Sequence, residues 1–218
     1  MAKVLIYIGL NQGGSFDKIF KDFDVCYGFE PIPLLAGRLQ ERYRPFPSVH
    51  IINAAVCVNE GPVSFYVSKM EGDHDNMQSS SLCEVSDGYR NNGPKNQVFT
   101  KEVITVQGIN LANFLSQHGI TEIDTYISDA EGYDFSILQT VKPLFDERRV
   151  KHAQFESEPD YVAVEQRTGQ PLNKSSLFID ALINNYDLVG MQQGNYDPSS
   201  PTRWFNRDLE FRVKPEGE

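Results

Sequence analysis

The chain has 218 residues, a formal net charge of -10 and 40% hydrophobic residues. This length and apolar content predict a single globular domain over residues 1–218 and exclude a disordered chain. An acidic chain without a Lys/Arg stripe is repelled by phosphate backbones and by anionic lipid. We therefore expect neither nucleic acid nor a membrane as a partner.

The three cysteines form no CxxC pair and no Cys/His cluster, so the sequence predicts free thiols and no zinc site. Free thiols are typical of a reducing compartment. The opening apolar run is too short for a transmembrane helix, and no small-residue cleavage site follows it. We therefore expect a cytoplasmic protein.

Apolar runs alternate with helical patterns along the first part of the chain. The sequence predicts strands at 4–8, 25–29 and 49–55, and helices at 15–21 and 33–43. Ser15 is expected to cap the first helix, and Pro33 to begin the second. Strands that alternate with helices join through right-handed crossovers into a parallel, doubly wound α/β sheet.

The alternation breaks between residues 61 and 106. Residues 63–67 and 99–106 favour strands. We interpret about 68–98 as a polar loop or lid insertion, in which the Asp73-His74-Asp75 run is either a source of a base or weak metal ligand or simply solvated loop.

The alternation then resumes to the end of the chain. Helices are predicted at 110–118, 135–146 and 177–185, and strands at 123–128, 150–155, 186–191 and 208–213. No helix separates the last two strands, which predicts an antiparallel hairpin at the sheet edge.

Polar residues follow the first two predicted strands. A glycine-rich turn at 9–14 follows the first strand, and Glu30 follows the second, 21 residues after Gly9. Ligands of doubly wound sheets bind beyond the carboxyl ends of the strands, where glycines allow close backbone approach and a carboxylate can accept both ribose hydroxyls. The two features together predict an adenosine cofactor.

Asn11 decides between adenosine cofactors. It occupies the position of the middle glycine in the GxGxxG pattern, where the dinucleotide pyrophosphate approaches the backbone. A side chain there obstructs linked phosphates, whereas S-adenosylmethionine has no phosphate. We therefore favour S-adenosylmethionine, with an NAD-dependent oxidoreductase as the weaker alternative.

Several segments carry a resemblance to a known family, among them Tyr7-Ile-Gly-Leu-Asn-Gln-Gly13, Tyr27-Gly-Phe-Glu-Pro31 and Ile127-Ser-Asp-Ala-Glu-Gly-Tyr-Asp134. They resemble the D-V-G-A-N-x-G, F-E-P and K-I-D-V-E-G-x-E motifs of the FkbM family of class I methyltransferases. The resemblance implies a Rossmann-like, mostly parallel seven-stranded sheet of order 3-2-1-4-5-7-6. It also implies transfer of a methyl group from S-adenosylmethionine to a hydroxyl of a sugar, glycan or other small molecule.

The resemblance also assigns cofactor residues by position. Gly9, Asn11 and Gly13 would line the methionine end, and Glu30 would hold the ribose. The residues expected near the adenine are Asn53, Ser80, Ser81 and Leu82. Tyr7 and Ile127 stand where the family has an acidic residue and a lysine, which predicts either divergent acceptor chemistry or weakened activity. A binding protein that has lost catalysis is therefore an alternative.

Carboxylates at later strand ends are the candidate catalytic residues. Asp129 is favoured as a base or acceptor-positioning group that also borders the cofactor. Alternatively, it caps the next helix while Glu131 pairs with the first helix amides. Glu156 is either an acceptor ligand or a solvated loop residue. Mg²⁺ held by these three carboxylates is an interpretation that we do not favour. We expect an acceptor pocket that is open or that a partner chain completes, and the candidate assembly is a homo-oligomer.

Overall fold

The amino-terminal strand is apolar on both faces, and it lies at the centre of the fold. A computed structural model describes residues 2–70, 77–85, 97–157, 173–193 and 207–215. The strands are β1 (Val4–Ile8), β2 (Val25–Phe29), β3 (Val49–Ile52), β4 (Ala55–Val56), β5 (Gly61–Met70), β6 (Gln97–Ile109), β7 (Ile123–Ser128), β8 (Val150–Ser157), β9 (Tyr186–Gln193) and β10 (Arg207–Val213). The helices are α1 (Pro33–Tyr43), α2 (Leu111–Gln117), α3 (Asp134–Asp146) and α4 (Ser175–Leu182).

Seven of these strands form the main sheet, in the order β3-β2-β1-β7-β8-β10-β9. Counted within this sheet alone, the order is 3-2-1-4-5-7-6, so the prediction is confirmed. The first five strands in this order, β3, β2, β1, β7 and β8, pair in parallel. Strand β10 pairs antiparallel with both β8 and β9. The carboxyl ends of the parallel strands therefore meet at one edge.

Strand alternation places apolar residues on both faces of β1. Ile6 and Ile8 pack into the largest buried cluster, which contains residues of α2, α3 and α4. Leu5 and Tyr7 pack instead with residues of α1 and of the segment after β1. Helical cover on both faces is the reason that the strand is apolar throughout.

The connection from β1 to β2 differs from the prediction. The expected helix at 15–21 is wrong: two 3₁₀ turns, Phe16–Lys18 and Phe20–Asp22, occupy it, and Ser15 makes no side-chain cap. The connection must return along a five-residue strand, roughly 17 Å at 3.3 Å per residue. A 3₁₀ turn rises about 2.0 Å per residue against about 1.5 Å for an α-helix, so it covers this length with fewer residues.

A smaller sheet, in the order β4-β6-β5, stands beside the main one. Its strands β5 and β6 are longer than predicted. The described segment 77–85 joins this sheet through a bridge between Tyr66 and Ser81. The rest of the predicted polar insertion, including Asp73-His74-Asp75, lies outside the described residues.

Helix α3 shows how the sequence pattern becomes packing. Ile137, Leu138 and Val141 are buried on one face, as their spacing predicts. Pro143 lies in the last turn before the helix ends at Asp146. Burial of each of these aliphatic side chains contributes about 1.5–3 kcal/mol. None of the helices in the described part of the chain is long and apolar enough to cross a membrane.

Candidate active site

A cavity of about 780 Å³ opens at the carboxyl edge of the main sheet. A second cavity of about 300 Å³ adjoins it. The two cavities share six lining residues: Tyr7, Ser15, Lys18, Asp129, Glu156 and Asp208. Because these residues border both spaces, a ligand in one cavity lies next to a ligand in the other.

The turn after β1 forms one wall of the larger cavity. Gly9 has a φ of 82°, and a Cβ there would lie 1.8 Å from the carbonyl oxygen of Asp129, so only glycine fits. Asn11 has a φ of 49°, and its side chain lines the cavity. The buried Oδ1 of Asn11 has no hydrogen-bond partner among the described residues. It is therefore an acceptor that a bound ligand could satisfy.

Glu30 ends β2 within the same wall and is only 3% exposed. Its Oε2 accepts from the Asn11 N–H at 2.7 Å, and its Oε1 accepts from the Ile32 N–H at 2.8 Å. Burial raises the pKa of Glu30 to about 7, although these two hydrogen bonds oppose the shift. Each carboxylate oxygen can accept further hydrogen bonds, so Glu30 can hold a diol such as that of a ribose.

Most of the predicted cofactor residues line the larger cavity. They are Gly9, Asn11, Glu30, Ser80, Leu82 and Asp129. Three others stand behind the lining. Gly13 packs against Leu39, Asn53 donates to the carbonyl oxygens of Glu30 and Pro31, and Ser81 donates to the carbonyl oxygen of Glu131. Gly13, Asn53 and Ser81 therefore shape the wall rather than face the cavity.

The three predicted catalytic carboxylates come together. Oxygens of Asp129, Glu131 and Glu156 all lie within 4.8 Å of one another. Asp129 remains open to solvent in the cleft, but protein atoms crowd around it. This desolvation, and the negative charges of Glu131, Asp134 and Asp208, raise its pKa well above the ordinary range. A carboxyl group with a raised pKa suits proton transfer near neutral pH.

Glu156 belongs to β8 and is not a solvated loop residue. Its side chain is 5% exposed and lines both cavities. Opposite it in the antiparallel register stands Asp208, at the start of β10. Burial raises the pKa of Asp208, while a hydrogen bond from Gln154 opposes the shift. A fourth carboxylate thus joins the predicted three.

The structure does not support the alternative in which Asp129 caps the next helix. Helix α3 has no side-chain cap from its own N-terminal residue. Instead, Asn173 Oδ1 accepts from the Phe135 N–H at 2.9 Å, and Asn173 Nδ2 donates to Asp134 at 2.9 Å. Glu131 accepts from the Ser79 N–H at 3.2 Å rather than from helix amides.

Asp134 is a third buried carboxylate near the site, after Glu30 and Glu156, and it was not among the residues predicted from the sequence. It accepts hydrogen bonds from the Ala130 N–H at 2.9 Å and from the Ser128 hydroxyl. Burial raises its pKa to about 6, and these bonds oppose the shift. Asp134 fixes the turn that carries Asp129 and Glu131.

Two charged residues of the cavity lining were also missing from the sequence prediction, Asp208 and Lys18. Asp208 had a usable signal, because an antiparallel strand begins at the edge where its parallel neighbour ends. Lys18 had none, since it lies in the segment that was expected to be helical.

The strand order and the position of the cleft define a Rossmann-like fold. A methyltransferase FkbM domain matches residues 8–187, and the chain belongs to this family. No curated protein matches the chain. The fold is similar to the N-methyltransferase NodS from Bradyrhizobium japonicum WM9, with a TM-score of 0.50 and 11% identity over 98% of this chain and 87% of that one.

Two further solved structures have lower TM-scores. The magnesium protoporphyrin IX methyltransferase ChlM from Synechocystis PCC 6803 has a TM-score of 0.48 and 9% identity, with 98% of this chain and 70% of that chain covered. TrmK from M. capricolum has a TM-score of 0.46 and 10% identity, with 97% and 62% covered. This chain therefore spans less than two thirds of the length of TrmK.

Proposed function

We propose that this chain transfers the methyl group of S-adenosylmethionine to a hydroxyl oxygen of a small molecule or glycan. One observation carries the proposal: Glu30 and the Gly9 turn share one cavity wall, and the Asn11 N–H links them directly. A ribose-binding carboxylate beside a tight backbone turn is the arrangement that an adenosyl group requires.

The larger cavity fits the cofactor at both ends. Its volume of about 780 Å³ lies within the range of small-molecule sites, roughly 300–1,000 Å³. Ile32, Leu35 and Leu82 supply apolar surface beside Glu30 for a base. Asn11 lines the same cavity, and we assign its unsatisfied Oδ1 as an acceptor for the ammonium of the methionine tail.

The smaller cavity provides the acceptor position. Bound S-adenosylmethionine supplies an activated methyl group, and the protein must hold the acceptor oxygen in line with it. Such alignment can supply about 7–11 kcal/mol of the barrier. Asp129 borders both cavities, so it can accept the proton of the acceptor hydroxyl. Glu156 and Asp208 can then accept hydrogen bonds from neighbouring hydroxyls.

The same carboxylates leave room for a metal-dependent variant of the reaction. Oxygen ligands within 4.8 Å of one another suit a hard cation such as Mg²⁺. We favour transfer without metal, because Asp129 can serve as the base itself. Dialysis against a chelator, followed by activity measurement with and without added Mg²⁺, separates the two.

Calorimetry with S-adenosylmethionine, S-adenosylhomocysteine and NAD tests the cofactor. We expect saturable binding of the two adenosyl ligands and none of NAD. Binding of NAD alone would reverse the proposal in favour of an oxidoreductase.

Turnover of a labelled methyl group with a panel of sugars and other hydroxylated compounds tests the reaction. Glu30→Ala is the comparison variant, since its weaker cofactor binding should lower turnover at a fixed S-adenosylmethionine concentration. Cofactor binding without transfer to any compound would favour a protein that has lost catalysis.

A further inference from the structure

The cavity walls are strongly acidic around the position that we propose for the methionine tail. Glu30, Asp129, Glu131, Glu156 and Asp208 all line the larger cavity. Such walls suit the sulfonium and ammonium groups of S-adenosylmethionine. They repel its carboxylate, which must therefore meet a specific partner.

One cationic side chain is available for this carboxylate. Of the described residues that line the two cavities, Lys18 alone carries a positive charge. It lies at the end of the first 3₁₀ turn after the Gly9 turn, close in sequence to Ser15, which lines the same walls. Lys18 also lines the smaller cavity, which Leu82 does not, so it lies where the two cavities meet.

Lys18 is also not committed to another partner in the described part of the chain. Its ammonium group forms no hydrogen bond and no ion pair with any described residue, although three carboxylates line the same two cavities. By contrast, Lys69 and Lys151 each pair with a carboxylate, at 2.9 Å and 2.7 Å. A lysine that lines an acidic cavity and forms no ion pair with the carboxylates of its lining can bind the anionic group of a ligand.

We propose that Lys18 binds the carboxylate of the methionine tail and makes the site select a complete amino-acid tail. This inference rests on the proposed cofactor. The ribose is held by Glu30 at one end and the carboxylate by Lys18 at the other. The sulfonium then lies between them, beside Asp129 and the smaller cavity.

Binding of two ligands to Lys18→Met tests this role. The ligands are S-adenosylmethionine and its decarboxylated form, which lacks only the carboxylate. We expect the variant to bind S-adenosylmethionine roughly tenfold more weakly, as for loss of one partly exposed charge-assisted hydrogen bond. Its affinity for the decarboxylated ligand should not fall. Lys18→Arg should retain most of the discrimination.

Lys21→Met is the matched control. Lys21 is exposed, stands over the ring of Phe20 at 5.8 Å and does not line either cavity. The substitution removes the same charge three residues away and should leave both dissociation constants unchanged. Thermal unfolding confirms that each variant is folded.

Three outcomes would overturn the role of Lys18. If Lys18→Met weakened the binding of both ligands equally, Lys18 would act through the overall charge of the site or through the structure, and not through the carboxylate. Unchanged affinity of Lys18→Met for both ligands would exclude Lys18 from the cofactor site. If the unmodified protein bound neither ligand, the cofactor assignment itself would fail, and the role of Lys18 with it.

Discussion

Tyr7 and Ile127, the two residues that depart from the family motifs, are neighbours in the structure. They face each other in the parallel register of β1 and β7, they belong to one buried cluster, and both line the smaller cavity. The family resemblance implies an acidic residue and a lysine at these positions. An aromatic and an aliphatic residue thus stand where the resemblance implies two opposite charges, so neither position buries a charge without a partner.

A double-mutant cycle tests this exchange. Tyr7→Asp and Ile127→Lys should each destabilise the protein by about 3 kcal/mol or more, because each buries one unpaired charge. The double variant should be more stable than the sum predicts by roughly 1–3 kcal/mol. Urea unfolding measures all four proteins, with Tyr7→Phe as the control that keeps the ring. Strict additivity would show that the two positions are independent.

Glu30 should make cofactor affinity depend on pH. Burial raises its pKa to about 7 in the free protein, above its ordinary value of 4.5. Its contribution to stability is therefore present below about pH 4.5 and is lost as the pH rises to about 7. Ribose hydroxyls donate to the charged form, so cofactor affinity should change in the opposite sense.

We expect affinity for S-adenosylhomocysteine to rise with pH up to about 7 and then to level. Glu30→Gln should remove this slope, and Glu30→Ala should weaken binding by about 1–3 kcal/mol. Calorimetry between pH 5.5 and 8.5 measures both effects. This range spans roughly one to two pH units on each side of the pKa of Glu30, which is about 7. A dissociation constant that neither substitution changes would refute the role of Glu30.

Asp129→Asn should reduce turnover by roughly 10²–10⁴ if Asp129 is the general base. Cofactor affinity should change much less, because the amide keeps the size and part of the hydrogen bonding. In the unmodified protein, turnover should rise with pH through the raised pKa of Asp129, since a base acts in its deprotonated form. Single-turnover kinetics separates these effects from binding. Equal losses in turnover and in affinity would place Asp129 on the cofactor instead.

At the scale of single elements, the sequence predicts what is local and misses what is not. The bounds of β1, β2, α1 and β7 agree with the prediction, because apolar runs and Pro33 mark them within the segment itself. The cap of α3 was not predictable, since Asn173 lies 38 residues beyond the Phe135 amide that it caps. Likewise, the 3₁₀ turns after β1 follow from the length that the connection must cover to reach the start of β2. That length is not encoded in the residues of the connection itself.

We therefore expect the Asn173 side chain to contribute more to the free energy of unfolding than most polar side chains do. It is 3% exposed and also donates to the Glu156 carbonyl oxygen, so it connects α3 with the end of β8. Asn173→Ala leaves the Phe135 amide without its partner and removes one of the hydrogen bonds that Asp134 accepts, which should cost about 2–4 kcal/mol. Asn185→Ala removes an exposed hydrogen bond and should cost much less. Urea unfolding that shows similar losses for both would contradict this view.

At the scale of the whole molecule, strand order alone assembles the site. The predicted order places the ends of β1, β2, β7 and β8 side by side, which is why Glu30, Asp129 and Glu156 were found from sequence. The antiparallel β10 adds Asp208 from the other end of the chain. Polarity alone could not separate residues that face the cavity from those behind it, such as Asn53. That residues 1–218 form one domain stays a prediction.

Because the cofactor would touch the turn after β1, the end of β2 and the 77–85 segment together, its binding should stabilise the fold as a unit. A ligand at about 100 times its dissociation constant adds about 2.7 kcal/mol to the free energy of unfolding. For a chain of this size, that corresponds to a rise in Tm of roughly 5–10 °C.

Differential scanning calorimetry with S-adenosylhomocysteine should show a rise that grows with the logarithm of ligand concentration. In Glu30→Ala, the same rise in Tm should need a higher concentration of S-adenosylhomocysteine. NAD should not raise the Tm. A rise with NAD that exceeds the rise with S-adenosylhomocysteine would mean that the crowded turn at Asn11 accepts linked phosphates, and the choice of cofactor would then be wrong.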